Sequence, residues 1–178
     1  MRTDRLREEF DLEFRWSVFP LHPDTPEEGQ ELTDLFAGRY DIEAMMQRCK
    51  QVAGELGLPF GDRTRTYNSR RAQELGKWAE AQDAGEAFQM AVYKAYFVDG
   101  LNIATPDILA EIAGSVGLDP DKALKVIDKH SYAAHVDDDW QRAREFGVTA
   151  VPTSIYQKQA LVGFQAYASY RQLIVETR

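Results

Sequence analysis

Gly147-Val148-Thr149-Ala150-Val151-Pro152-Thr153-Ser154-Ile155-Tyr156, followed closely by Ala160-Leu161-Val162-Gly163-Phe164, is the stretch that decides the architecture. Gly147 suits the position just past a helix, where a left-handed residue is needed and a missing Cβ removes the penalty. Residues 153–156 are rich in β-branched and aromatic side chains, which fit a pleated strand. Gln157, Lys158 and Gln159 are polar enough to turn the chain, and residues 160–164 return as the hairpin partner. Pro152 cannot donate to a ladder, so it belongs at a strand start. A cis bond there would mark a tight turn, and backbone groups beside such a turn are placed to pair with an extended peptide.

Working outward, residues 5–10 read as the last turns of a helix. Residues 12–19 alternate Leu12, Phe14, Trp16 and Val18 with polar neighbours, the period of a half-buried strand. Pro20 ends it, and the Leu21-His22-Pro23-Asp24-Thr25-Pro26 stretch is an extended loop. Asp41 caps a helix carrying Ile42, Met45, Met46, Cys49, Val52 and Leu56 on one face, stopped by Gly57 and Pro59. Cys49 sits within that apolar stripe and reads as a small buried hydrophobe. Asn68 or Ser69 caps the next helix, to about Ala81. A densely aromatic helix over residues 84–98 ends at Gly100. Thr105-Pro106 and Asp119-Pro120 open two more, and another runs over residues 133–146. A final amphipathic helix occupies residues 167–176, with Tyr170, Leu173 and Ile174 facing in.

Composition excludes several classes. Net charge is −8 over 178 residues, so a nucleic-acid backbone is an unsuitable partner. No apolar run approaches the roughly 20 residues that span a bilayer. The first six residues lack the apolar region of a signal peptide, which predicts a cytoplasmic protein. The chain has one cysteine and three histidines. One cysteine excludes an intrachain disulfide, and His22, His130 and His135 lack ligand spacing. Asp137, Asp138 and Asp139 do not make a metal site, because adjacent helical residues fan out by about 100° each; they read as a solvated acidic face. No metal and no cofactor is expected.

These residues carry a resemblance. Gly147-Val148 to Val151-Pro152-Thr153, the hairpin and Leu161-Val162-Gly163-Phe164-Gln165 closely resemble the end of a DsbA-like thioredoxin-fold domain. The Phe19-Pro20-Leu21-His22-Pro23-Asp24 loop and the aromatic run over residues 87–100 are most similar to the FrnE-type branch of bacterial disulfide oxidoreductases. Asn68 also matches an Asn before the corresponding helix in that branch, although capping alone accounts for it. The resemblance implies an α/β, thioredoxin-like core over residues 1–23 and 147–178. A large all-helical insertion, residues 24–146, separates the second strand from the C-terminal hairpin. It implies a cis Val151–Pro152 turn, with Val151 and Pro152 binding the substrate peptide. The partners implied are protein or peptide thiols and disulfides, with glutathione as the partner in a related branch of isomerases and kappa-class transferases.

Members of this family begin with a central strand and a Cys-x-x-Cys motif at the start of the first long helix. A helix N-terminus stabilises the thiolate there. Relative to them this chain starts in mid-helix, so no catalytic residue is assigned within it, and the dithiol is expected upstream of Met1. Without the central strand, residues 12–19 and 153–156 would have unpaired inner edges. A homo-oligomer that completes the sheet is therefore expected if no upstream segment does so.

Overall fold

A computed structural model describes residues 2–176, so the expectations touching Met1, Thr177 and Arg178 lie outside the described residues. In chain order the elements are α1 (Arg2–Phe10), β1 (Gln30–Glu31), α2 (Leu32–Phe36), α3 (Ile42–Glu55), β2 (Arg65–Thr66) and α4 (Arg70–Glu80). Next come α5 (Gly85–Phe97), α6 (Pro106–Ser115), α7 (Pro120–Asp128) and α8 (Ala133–Glu145). The chain closes with β3 (Thr153–Tyr156), β4 (Gln159–Val162) and α9 (Tyr167–Val175). They form two compact units, Met1–Leu21 with Asp137–Arg178, and His22–Val136.

The second unit is built around α4 to α7. Leu75, Ala79, Leu109, Ala113 and Ala123 are fully buried there, and Phe88 and Trp78 close the cluster. The helix starts follow the chemistry of their caps. The Asp41 carboxylate accepts the Ala44 N–H, and Asp119 accepts those of Asp121 and Lys122. Thr105 occupies its N-cap position without a side-chain bond, leaving Pro106 to fix the first helical turn. Gly61 is required by close approach: a Cβ there would lie 2.1 Å from the Val98 carbonyl oxygen. The unit also holds a short antiparallel ladder, Gln30 opposite Thr66 and Glu31 opposite Arg65. At two residues per strand it is too short to leave a period in the sequence.

Three expectations are corrected. First, residues 12–19 form no strand. Alternation supplies a strand-like face, but a ladder needs a partner, and none of the described strands is hydrogen-bonded to this segment. Second, α3 buries none of its residues, and Cys49 is exposed. Its stripe has the right period, but no element closes over it. Ile42, Met45, Met46 and Val52 stay half-buried and Leu56 is exposed. Third, the hairpin closes one residue earlier than the sequence predicts. Gln157 takes a positive φ of 54°, so a two-residue turn suffices and β4 starts at Gln159.

The first unit contrasts with the second. Its only fully buried apolar side chains among the described residues are Leu6 and Ile174. Trp16, Leu21, Phe146, Val151, Ile155, Val162, Phe164 and Val175 are all exposed large hydrophobics of this unit. A lone two-stranded hairpin is marginal in water, and this one has little apolar cover.

Candidate functional site

The hairpin register is Thr153 opposite Val162, Ser154 opposite Leu161, Ile155 opposite Ala160 and Tyr156 opposite Gln159. Beyond it, the Gly163 N–H donates to the Pro152 carbonyl at 2.7 Å. Hydrogen-bonded pairs alternate along an antiparallel ladder. Pro152–Gly163, Ser154–Leu161 and Tyr156–Gln159 therefore face one another, and the N–H and C=O of Thr153 and Ile155 point to the opposite edge. No hydrogen bond among the described residues uses those outward groups.

The approach to that edge is a sharp corner. The Val151–Pro152 peptide is cis, and the Thr153 hydroxyl donates to the Ala150 carbonyl at 2.7 Å. Gly147 has a φ of 66°, as a helix-terminating glycine should. Val151 and Pro152 both face solvent, Val151 being 47% exposed. The sequence-assigned binding residues thus sit at the mouth of an open strand edge. Behind the hairpin, Gln165 Nε2 donates to the Val162 carbonyl at 2.8 Å, and the Tyr170 hydroxyl donates to the Gly163 carbonyl at 3.4 Å.

α9 is tied to α1 through Glu9, whose carboxylate accepts from the Tyr167 hydroxyl and, at 2.7 Å, from Arg171 Nε. The Arg5 guanidinium lies 3.9 Å from the Tyr167 ring centroid. The Tyr167 hydrogen bond, then Arg171, holds Glu9 below its ordinary 4.5, and the same bond to Glu9 raises Tyr167 above its ordinary 10.0. A depressed carboxyl stabilises the fold above its unfolded value, and that contribution is lost as pH falls through the folded one. A raised phenol stabilises below its unfolded value, and its contribution is lost as pH rises through the folded one. The α1–α9 tie therefore holds across neutral pH and is released at both extremes. In melting curves over a pH series, Glu9→Gln should melt below wild type near neutrality and match it in strong acid. A constant offset at every pH would refute the linkage.

Asp139 corrects another expectation. Asp137 and Asp138 are exposed, but Asp139 is 1% exposed. Its Oδ2 accepts the Val18 N–H at 3.1 Å and its Oδ1 the Arg15 Nη2 at 3.4 Å. The same 100° fan that keeps three adjacent aspartates from one ion turns one of them inward. Among the described residues, no group of three His, Cys, Asp or Glu could hold a metal.

In the second unit Asn68 does more than cap. Its Oδ1 accepts the Arg70 N–H at 2.8 Å, while Nδ2 donates to the Thr25 and Pro23 carbonyls at 2.8 and 3.2 Å. Arg65 donates to the Gly29 carbonyl and Arg71 to Glu27, and Asn102 donates to the Glu27 carbonyl. The proline-punctuated loop is thereby strapped down by four side chains. Only Asn68 stood out in the sequence, since long-range partners of a loop leave no local spacing.

Comparison with known proteins bears on this geometry. A family profile described as the DSBA-like thioredoxin domain matches residues 1–175. An uncharacterized protein of Bacillus subtilis (strain 168), YwbO, is 25% identical over 154 residues, 86% of this chain and 76% of its own length. The crystal structure of SCO1869 from Streptomyces coelicolor, described as a probable DsbA oxidoreductase, superimposes with a TM-score of 0.87 at 22% identity. That match covers 98% of this chain and 81% of the other. A 2-hydroxychromene-2-carboxylate isomerase structure gives 0.71 at 17% identity, over 99% and 84%. No described helix is long and apolar enough to cross a membrane.

Proposed function

This chain belongs to the DsbA-like thioredoxin-domain family, and from that footing we propose that it presents the peptide-binding half of a FrnE-type thiol–disulfide oxidoreductase site. The observation that carries the reading is the solvent-facing Val151–Pro152 corner at the start of β3. An extended substrate segment pairs with the backbone groups beside that turn, a strand addition in which backbone bonds give affinity. Val151 and Pro152 form the ledge against which the substrate thiol or disulfide lies.

Disulfide exchange requires an attacking and a resolving thiol. The residues present supply one cysteine, Cys49, in the other unit. The chain therefore binds thiol-bearing peptides without running the two-cysteine cycle alone. The fold likeness to a cytosolic disulfide reductase, DsbM from Pseudomonas aeruginosa, at a TM-score of 0.54 and 22% identity, supports placing it in the cytoplasm. No cofactor and no metal enters this function. Its partners are protein and peptide thiols and disulfides, with a second copy of itself completing the sheet if no upstream segment does so.

Calorimetric titration of an extended cysteine-containing peptide, paired with an insulin-reduction assay, tests the reading. Binding should be measurable, and Val151→Ala should weaken it about five-fold by removing apolar surface from the ledge. Insulin reduction should stay at the buffer rate and be unchanged by Cys49→Ala. Peptide binding unaffected by Val151→Ala would overturn the ledge, and Cys49-dependent turnover would overturn the division of labour.

A second reading is glutathione-dependent isomerase or transferase chemistry, supported by the fold likeness to the chromene carboxylate isomerase. Retention on immobilised glutathione without peptide binding would favour it.

A further inference from the structure

The helix α3 lies in the His22–Val136 unit and presents an apolar seam that nothing in that unit closes over. Ile42, Met46, Lys50 and Ala53 are half-buried along one line of the helix. On the adjoining flank Met45, Cys49, Val52 and the C-cap residue Leu56 follow one another at steps of four, three and four residues. That is the spacing at which side chains of one helix line the seam of a coiled coil. Met45 and Val52 are half-buried, Cys49 is exposed and Leu56 is 46% exposed. Arg48 and Glu55 each precede a seam residue, so both border the seam on the side away from Met46 and Ala53. Neither forms an ion pair among the described residues. The Arg48 guanidinium has no partner, and the Glu55 carboxylate accepts only the Gln51 amide at 3.0 Å.

We propose that this seam packs antiparallel against the same seam of a second copy. A two-fold contact is isologous, so α3 must complement itself. One register does so. With Cys49 opposite the partner's Val52, Met45 lies opposite the partner's Leu56. Arg48 then meets the partner's Glu55, and Glu55 the partner's Arg48, so the bordering charges match in both copies at once. Sliding by one heptad sets Arg48 against the partner's Arg48, or, the other way, Glu55 against the partner's Glu55, which is repulsive. A parallel pair sets Arg48 beside the partner's Ala53 and leaves both charges unmatched. The two bordering charges thus select the occupant, its direction and its register.

α3 has 14 residues, so the contact is well below a standard interface and association is concentration-dependent. Sedimentation velocity over a dilution series should show the 20.3 kDa chain passing to twice that mass. Iodoacetamide labelling of Cys49, the only cysteine, should slow in step as the partner's Val52 covers it. Arg48→Glu sets like charges opposite each other and should weaken the dimer about ten-fold or more. Arg48 and Glu55 are both exposed, so the fold tolerates their exchange. The variant carrying both Arg48→Glu and Glu55→Arg restores the complement and should recover the dimer. A wild-type chain monomeric at every concentration, an Arg48→Glu dimer as tight as wild type, or Cys49 labelling independent of concentration overturns the proposal. The seam shares no residue with the Val151–Pro152 ledge, and mass is read without peptide, so this failure is separable from failure of the ledge.

Discussion

Glu74→Ala should lower the unfolding free energy of the His22–Val136 unit by roughly 3 kcal/mol, whereas Glu74→Gln should cost about 1 kcal/mol. Glu74 is 1% exposed. Its two oxygens are shared between Arg70 Nε at 2.7 Å and His130 Nδ1 at 3.1 Å, and Arg70 Nη2 donates onward to the Ala133 carbonyl at 3.0 Å. The cluster ties α4 to the turn between α7 and α8. His130 stands in that turn with a φ of 48°, a conformation the surroundings must enforce. Removing one member of a fully buried pair costs more, because the survivor is stranded. Here the Arg70 side chain is 24% exposed and that of His130 57%, so water rescues part of the loss. Glutamine keeps an acceptor for Arg70 and gives up only the charge. Urea unfolding followed by the emission of Trp78, buried in α4, in a background where Trp16 and Trp140 of the other unit are replaced by phenylalanine, reads this unit. An alanine variant within about 0.5 kcal/mol of wild type would show that the cluster adds nothing beyond packing.

What could be read from the sequence follows the range of the interaction. The Asp41, Asp119 and Pro106 signals act within a turn, and α3, α6 and α7 begin where those signals place them. The hairpin was legible because its strands are sequence neighbours. Residues 12–19 were misread because a strand is a relation between two segments, and alternation describes only one of them. Cys49 and Asp139 show the same limit in opposite directions. The period of α3 names a stripe without saying whether anything covers it, and Asp139 is buried because Val18, 121 residues away in the chain, supplies a donor. The Val151–Pro152 corner reads as a binding ledge only through the resemblance, because no local spacing marks a residue as peptide-binding.

Asp139→Ala is the substitution expected to unfold one unit and spare the other. Val18 loses the acceptor for its N–H, at a cost of roughly 2 kcal/mol, while Arg15, mostly in solvent, loses little. In a well-cored domain that would be tolerable. In the unit formed by Met1–Leu21 and Asp137–Arg178 it should not be, because Leu6 and Ile174 are its only fully buried apolar residues among those described. Hydrogen exchange read by peptide should therefore show residues 12–20 and the hairpin exchanging near the unfolded rate, with α4 to α6 protected as in wild type. Asp139→Asn keeps an oxygen for Val18 and should retain most of the protection. The peptide ledge lies in this unit, so Asp139→Ala should abolish peptide binding, whereas Val151→Ala should weaken binding and leave the exchange pattern as in wild type. Uniform loss of protection across both units would mean that the molecule unfolds as one body, and Asp139 would then not be what singles out this unit.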